Sequence, residues 1–311
     1  MQQYEEEIKT AKQNSRPISQ AALKKIEEIQ GLGGRETEKI EQVAKKMGLK
    51  YRPLCNFSSE GKVLRNGPYC GAFYSLDKPF IVVAFKGTGR YREWITDFKF
   101  RMKDAENSSP LLGKCHLGFF DGIFKDFPCE LSTNKSIRIA LPFQMIRLQL
   151  WKLEKEIISH TFPGGLRVQL WTTGHSLGGA YATNLWTGLL GDMQFSHTTV
   201  RDLITLSSPR VGNKTYATHV KNRRAFRKSW RFVNGNDAIP AILVRDIFSG
   251  EGYYHVDSLV SISPFKISLG ESELPEGGQL AVPQDELGTK SIINLDLFKN
   301  HSEPIPTFRL Q

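Results

Sequence analysis

The chain has 311 residues, of which 40% are hydrophobic and 24% charged, the balance of an ordinary globular protein with ample apolar material for a core. No apolar run approaches the roughly 18 residues of a membrane-spanning helix. None of the four cysteines, Cys55, Cys70, Cys115 and Cys129, stands in a C-x-x-C pair, which argues against zinc and thioredoxin-like redox chemistry and leaves disulfide pairing open.

The net charge is +10, with 42 basic against 32 acidic residues, which fits an anionic partner or plain solubility. The sharpest basic cluster is Lys221, Arg223, Arg224, Arg227, Lys228 and Arg231. It reads as a solvated helix face leading into a strand, with contact to anionic lipid left open. No zinc-finger or RNA-reader motif accompanies it, so nucleic acid is not an expected partner. The first residues, Met1 to Glu7, lack the basic start and apolar run of a secretory signal. The expectation is therefore a cytoplasmic protein, unless this sequence lacks its true start.

In chain order, residues 1–50 read as a helical prefix packing on the core. Ile40, Val43, Ala44 and Met47 follow helical spacing and Gly48 ends the run. Residues 51–311 then form one domain. Ala72 to Leu76 and Phe80 to Phe85 read as strands around an Asp77-Lys78-Pro79 turn. The second is apolar throughout, as in a strand covered on both faces. Residues 126–142 resemble an insertion. Further strands are expected at Arg167 to Thr172, Asp202 to Leu206 and Ser229 to Val233. Helices are expected at Phe143 to Ser159, Gly179 to Leu190 and Lys214 to Ala225. Residues 263–290 have loop composition. Alternating strands and helices predict an α/β fold with a mostly parallel central sheet flanked by helices.

The strongest chemical signal is Gly174-His175-Ser176-Leu177-Gly178, a G-x-S-x-G between an apolar strand and a helix. That context is a nucleophile elbow, in which a sharp, strained turn lifts the serine hydroxyl, nearly exposed, clear of the sheet. The flanking glycines keep side chains out of the crowded turn. A serine needs a base, and the base an orienting acid, in the order Ser, Asp or Glu, His. Asp237 turns off the end of the Arg231 to Val233 strand and fits the acid; Asp202 precedes its strand and fits less well. Only His255 and His301 come after Asp237. His301, in a loop free to swing towards the serine, is the favoured base, and His255 is its rival. Backbone N–H groups of Thr88 and Leu177 are placed to form an oxyanion hole.

Five blocks occur in order: Val83 to Thr88 with Glu93, Trp94 and Asp97; His116 to Phe119; Gly174 to Ala180; Ser208 to Asn213; and Val233 to Pro240. With these the chain resembles the class 3 lipases, the fungal triacylglycerol lipase family, from about residue 65 to 305. The resemblance implies an α/β-hydrolase fold, a Ser176, Asp237, His301 triad, and Thr88 and Leu177 as oxyanion donors. It also implies a lid after Thr88. There Trp94, Ile95 and Phe98 share a helical face, which would cover the acyl groove and open at a lipid surface. The expected reaction is hydrolysis of acyl-glycerol esters at a membrane or emulsion surface, through an acyl-enzyme and without metal or organic cofactor. A phospholipase or galactolipase, a feruloyl-type esterase and a catalytically silent lipid-binding or scaffold protein are the alternatives. Oligomeric state is not legible.

Overall fold

In the computed structural model, residues 35–56, 69–87, 101–105, 110–125, 128–130, 136–138, 142–161, 167–190, 195, 197–235, 237–263 and 266–270 are described. Eight strands share one sheet: β1 (Lys50–Asn56), β2 (Tyr69–Tyr74), β3 (Phe80–Phe85), β8 (Val168–His175), β9 (Thr198–Leu206), β10 (Ser229–Asn234), β11 (Ser258–Ser263) and β12 (Lys266–Gly270), hydrogen-bonded in that order. Two short hairpins stand apart, β4 (Met102–Asp104) with β5 (Lys114–His116) and β6 (Pro128–Glu130) with β7 (Ser136–Arg138). Five α-helices are described: α1 (Arg35–Lys46), α2 (Leu117–Phe124), α3 (Pro142–Thr161), α4 (Leu177–Leu189) and α5 (Lys214–Arg223). The sheet is mostly parallel and helix-flanked, as in an α/β-hydrolase. β9, β10 and β11 run parallel, while β2 and β12 return antiparallel on β1 and β11.

The chain divides into two compact units, residues 1–81 with 121–168, and 82–120 with 169–311. In the first, α1 and α3 pack on β1. The face of α1 differs from its apolar spacing: Ala44 and Thr37 are buried, whereas Val43 and Met47 are exposed. One helix on one strand covers only a narrow stripe, so half of the apolar residues stay wet. Arg52 of β1 donates to Glu156 of α3 at 2.5 Å, and the Tyr74 hydroxyl approaches the same carboxylate. Cys55 and Cys70 face each other across β1 and β2, both buried and not joined by a disulfide. The expected insertion at 126–142 contains the β6–β7 hairpin.

In the second unit α4 is buried at all 13 positions, so it has no polar face. Its threonine hydroxyls are satisfied within the helix, Thr183 Oγ1 donating to Gly179 O and Thr187 Oγ1 to Thr183 O, both at 2.8 Å. Tyr181 anchors it between Phe85 and Phe119. The side chain of Asn213 caps α5 by accepting from Tyr216 N at 2.9 Å. Two expectations change. β3 alternates between buried and half-buried residues, so one face is only partly covered. Residues 266–270, expected as loop, form β12, because Ile267 and Leu269 pair with Ile262 and Val260 along the sheet edge. Among the described residues no helix is long and apolar enough to cross a membrane.

Candidate active site

β8 ends at His175, and the next residue, Ser176, has φ 55 and ψ −127, a conformation that non-glycine residues adopt only under strain. The chain reverses there into α4 at once. Ser176 N donates to Leu206 O at the end of β9 and Ser176 O accepts from Gly179 N, both at 2.9 Å. The turn closes because the glycines of the motif admit backbone where other residues would carry a Cβ. A Cβ on Gly174 would overlap the carbonyl of Gly178, and one on Gly178 would stand 2.5 Å from Phe85 O and 2.8 Å from Lys86 O.

Ser176 is fully buried, where a nearly exposed hydroxyl was expected, and its Oγ has no hydrogen-bond partner among the described residues. A buried hydroxyl left unpaired is costly in a purely structural role. Leu177 begins α4, so its N–H lies at the positive end of a helix dipole, beside the serine. Gly87 brings the end of the β3 segment to the same place. A Cβ on it would lie 3.4 Å from Ser176 Cβ and 2.7 Å from His175 O.

Asp237 follows β10 on the same edge of the sheet. Ser207 N, just past β9, donates to Phe232 O of β10 at 2.7 Å, which aligns the three strand ends. Asp237 is buried, and its Oδ1 accepts from Ile239 N at 2.9 Å, turning the chain into the short 3-10 helix Ile239–Ala241. That turn is held from a distance. Arg210, buried, donates through Nη1 to Ala241 O and Leu243 O, both at 3.2 Å.

His255 lies in no strand; it is buried, with Nε2 3.0 Å from Pro240 O. Burial, and then the guanidiniums of Arg231 and Arg210, push it well below the usual histidine range. It is therefore neutral, donates through Nε2 to the carbonyl, and makes no ion pair with Asp257 Oδ1, 3.9 Å from Nδ1. Asp257 meets Arg231 Nε at 3.3 Å and the Thr205 hydroxyl at 3.2 Å. Burial raises its carboxyl against the pull of both.

Of the expected site residues, the structure sets Ser176, Leu177 and Asp237 along one edge of the sheet. Thr88, Trp94, Ile95, Phe98 and His301 lie outside the described residues. The holding roles of Arg210 and His255 were not legible. Arg210 was visible only as part of the Ser208 to Asn213 block, and His255 only as a second histidine.

Residues 82–246, just over half of the chain, match the family model for lipase (class 3). A secreted mono- and diacylglycerol lipase of Fusarium solani is 27% identical over 58% of this chain and 45% of its own length. One from Penicillium cyclopium is 28% identical over 57% and 46%. A chloroplastic phospholipase A1 of Arabidopsis thaliana is 27% identical over 57% and 33%. The match thus spans under half the length of these curated relatives. A crystal structure of fungal lipases aligns with a TM-score of 0.53 at 19% identity, covering 83% of this chain and 80% of that one. A mutant form of the Penicillium cyclopium protein MDLA gives 0.53 at 20%, with the same coverage. These likenesses establish the fold. The expectation of a cytoplasmic protein is overturned, because the Fusarium and Penicillium relatives are named as secreted. On the family match and the elbow it contains, the chain belongs to the class 3 lipase family.

Proposed function

We propose that this protein hydrolyses acyl-glycerol esters outside the cell, with Ser176 as nucleophile, His301 as base and Asp237 as orienting acid. The observation that carries this reading is Ser176 itself: a strained residue at a helix N-terminus, whose buried hydroxyl is bonded to none of the described residues. Ser176 Oγ attacks the ester carbonyl as His301 takes its proton. The backbone N–H groups of Leu177 and Thr88 receive the oxyanion, and His301 returns the proton to the leaving alcohol. Water then attacks the acyl-enzyme and releases the fatty acid. His255 is unsuited to the base role, since its Nε2 proton is already given to Pro240 O and its ring stays neutral.

The names of the relatives favour mono- and diacylglycerols as substrates, and the Arabidopsis phospholipase A1 supports phospholipid as the second reading. On sequence pattern alone, residues 90–100 with Trp94, Ile95 and Phe98 are the proposed lid. The test is labelling with a fluorophosphonate, followed by hydrolysis of short and long acyl esters below and above their solubility limit. Labelling at Ser176, with rates that rise as substrate passes into emulsion, is the expected result. Labelling elsewhere, or none, overturns the nucleophile. A smooth saturation curve with no rise removes the lid and favours a soluble-ester esterase.

A further inference from the structure

Two patches outside the site pair an exposed aromatic residue with cations, and they lie at opposite ends of the sheet. The more basic is the turn after α5, where Phe226 is 69% exposed among Arg223, Arg224, Arg227 and Lys228. It immediately precedes β10, at the edge opposite Ser176 and Asp237. A flat surface held there would face away from the nucleophile.

The second patch is the tip between Arg245 and Gly252, which are bridged antiparallel. At this tip Ile247 is 65% and Phe248 71% exposed. The exposure is built in, since the buried Asp246 carboxylate accepts from Met102 N, from Phe248 N at 2.8 Å and from Ser249 N at 2.6 Å. Asp246 N also donates to Glu251 O at 2.8 Å. A tight, tied turn thus holds two adjacent large apolar side chains in water, where burial would be favourable. Glu251 Oε1 accepts from Asn213 at 2.6 Å. Asn213 begins α5, the helix that leads from the end of β9 back to the start of β10, so the tip belongs to the catalytic edge. Cations flank it: the Arg101 guanidinium lies over the Phe248 ring at 5.8 Å, and Arg245 is exposed. The acids beside them are engaged, Asp246 by backbone donors and Glu251 by Lys114 and Asn213. Asp104, on β4, adds to the negative surroundings of Lys114.

We propose that the Ile247–Phe248 tip is the element by which this protein docks on a phospholipid surface, the two side chains entering the interface and Arg101 and Arg245 meeting lipid phosphates. Exposed apolar residues rimmed by polar ones mark such contacts, and basic side chains beside them add attraction to anionic head groups. The inference rests on the ester-lipid hydrolase reading and names the surface that brings that site to its substrate.

The test is co-sedimentation of the full chain with phosphatidylcholine vesicles doped with phosphatidylglycerol, alongside hydrolysis of a water-soluble short-chain ester. The double variant Ile247→Ser, Phe248→Ser should bind the vesicles at least about tenfold more weakly, with soluble-ester turnover within about twofold of wild type. Arg245→Gln should weaken binding about fivefold at low salt, a loss that disappears at high salt. Should the double variant also lose soluble-ester turnover, the salt-dependent loss in Arg245→Gln decides the matter. Wild-type binding in both variants, or a loss reproduced by Phe226→Ser on the opposite edge, overturns the proposal. A wild type that binds vesicles through this tip but hydrolyses no ester leaves the docking surface standing and overturns the hydrolase reading.

Discussion

The turns after β8 and β10 leave the same edge of the sheet, one carrying Ser176 and the other Asp237, yet they are held in opposite ways. The first is backbone packed on backbone, with glycines admitting the carbonyls of Phe85 and Lys86. The second is tied by side chains 15 to 33 positions from the carbonyls they hold, His255 on Pro240 and Arg210 on Ala241 and Leu243. A turn of the first kind cannot be altered by degrees, because any added atom meets main chain. A turn of the second kind can be loosened one hydrogen bond at a time. The proposed nucleophile is therefore fixed locally, and the proposed acid is adjustable from afar.

The largest effect expected from breaking this contrast is chemical. Ser176→Ala should lower ester turnover at least about a thousandfold, with little change in stability, since the lost hydroxyl is unpaired. His301→Ala should match it if, as proposed, it is the base, because base and nucleophile act as a unit. His255→Ala should retain at least about a tenth of wild-type turnover, since it alters only the tie to the acid's turn. A His255→Ala variant as inactive as Ser176→Ala, measured on a soluble ester, would make that histidine part of the chemistry and dissolve the contrast.

The same contrast explains what was legible in the sequence. The elbow was readable because all of its requirements lie within Gly174 to Gly179, beside the strand and helix that need it. The place of Asp237, just past a strand, was readable too. The ties on its turn were not. Arg210 and His255 work through carbonyls, which leave no mark in the residue types at 240, 241 and 243, and the pairing of Arg231 with Asp257 exists only once β10 and β11 lie side by side. β12 was missed for a different reason: the glycines and prolines from Gly270 to Gly288 set the composition of residues 263–290, and the alternation of Ile267 and Leu269 is too short to stand out until it pairs with β11. The cytoplasmic expectation rested on the first residues alone, and the names of the relatives contradict it.

Gly178→Ala tests the first turn directly. Its methyl would sit against two carbonyl oxygens, and overpacking against backbone costs about 3 kcal/mol. Chemical denaturation should show that loss, and a change below about 0.5 kcal/mol would mean that the elbow has slack. Arg210→Met tests the second turn. Two carbonyls lose their donor while the packed stem is retained, so stability should fall by about 2 kcal/mol. Turnover should fall about tenfold with KM unchanged, a split that a general loosening of the fold would not give. Loss of stability with full turnover would show that the acid does not depend on the tie.

The neutral state of His255 makes the second turn sensitive to acid. Its folded pKa is depressed, by burial first and then by Arg231 and Arg210, so below an ordinary value of about 6.5 the unfolded chain binds a proton that the folded chain refuses. The contribution of His255 to stability is thus complete above that pH and declines as the pH falls towards the depressed value, by at most about 1.4 kcal/mol per pH unit. Denaturation midpoints between about pH 7 and 5.5 should fall in wild type and stay flatter in His255→Gln. Equal slopes would mean that the histidine is not held neutral.

The smallest effect separates strain from chemistry within the first turn. Ser176→Ala and Ser176→Gly both lack the hydroxyl, so neither hydrolyses ester through that position, and they differ in backbone freedom alone. At φ 55 and ψ −127 a Cβ costs roughly 1–3 kcal/mol, which glycine does not bear. Glycine in turn loses about 1 kcal/mol more conformational freedom on folding. The balance favours the glycine variant by about 1 kcal/mol, the reverse of the usual order for the two residues. Equilibrium unfolding of the two inactive variants under the same conditions measures that difference. An alanine variant equal to or more stable than the glycine variant would mean that the elbow stores no strain, and that the burial of Ser176, with backbone ties to Leu206 and Gly179, is enough to hold it.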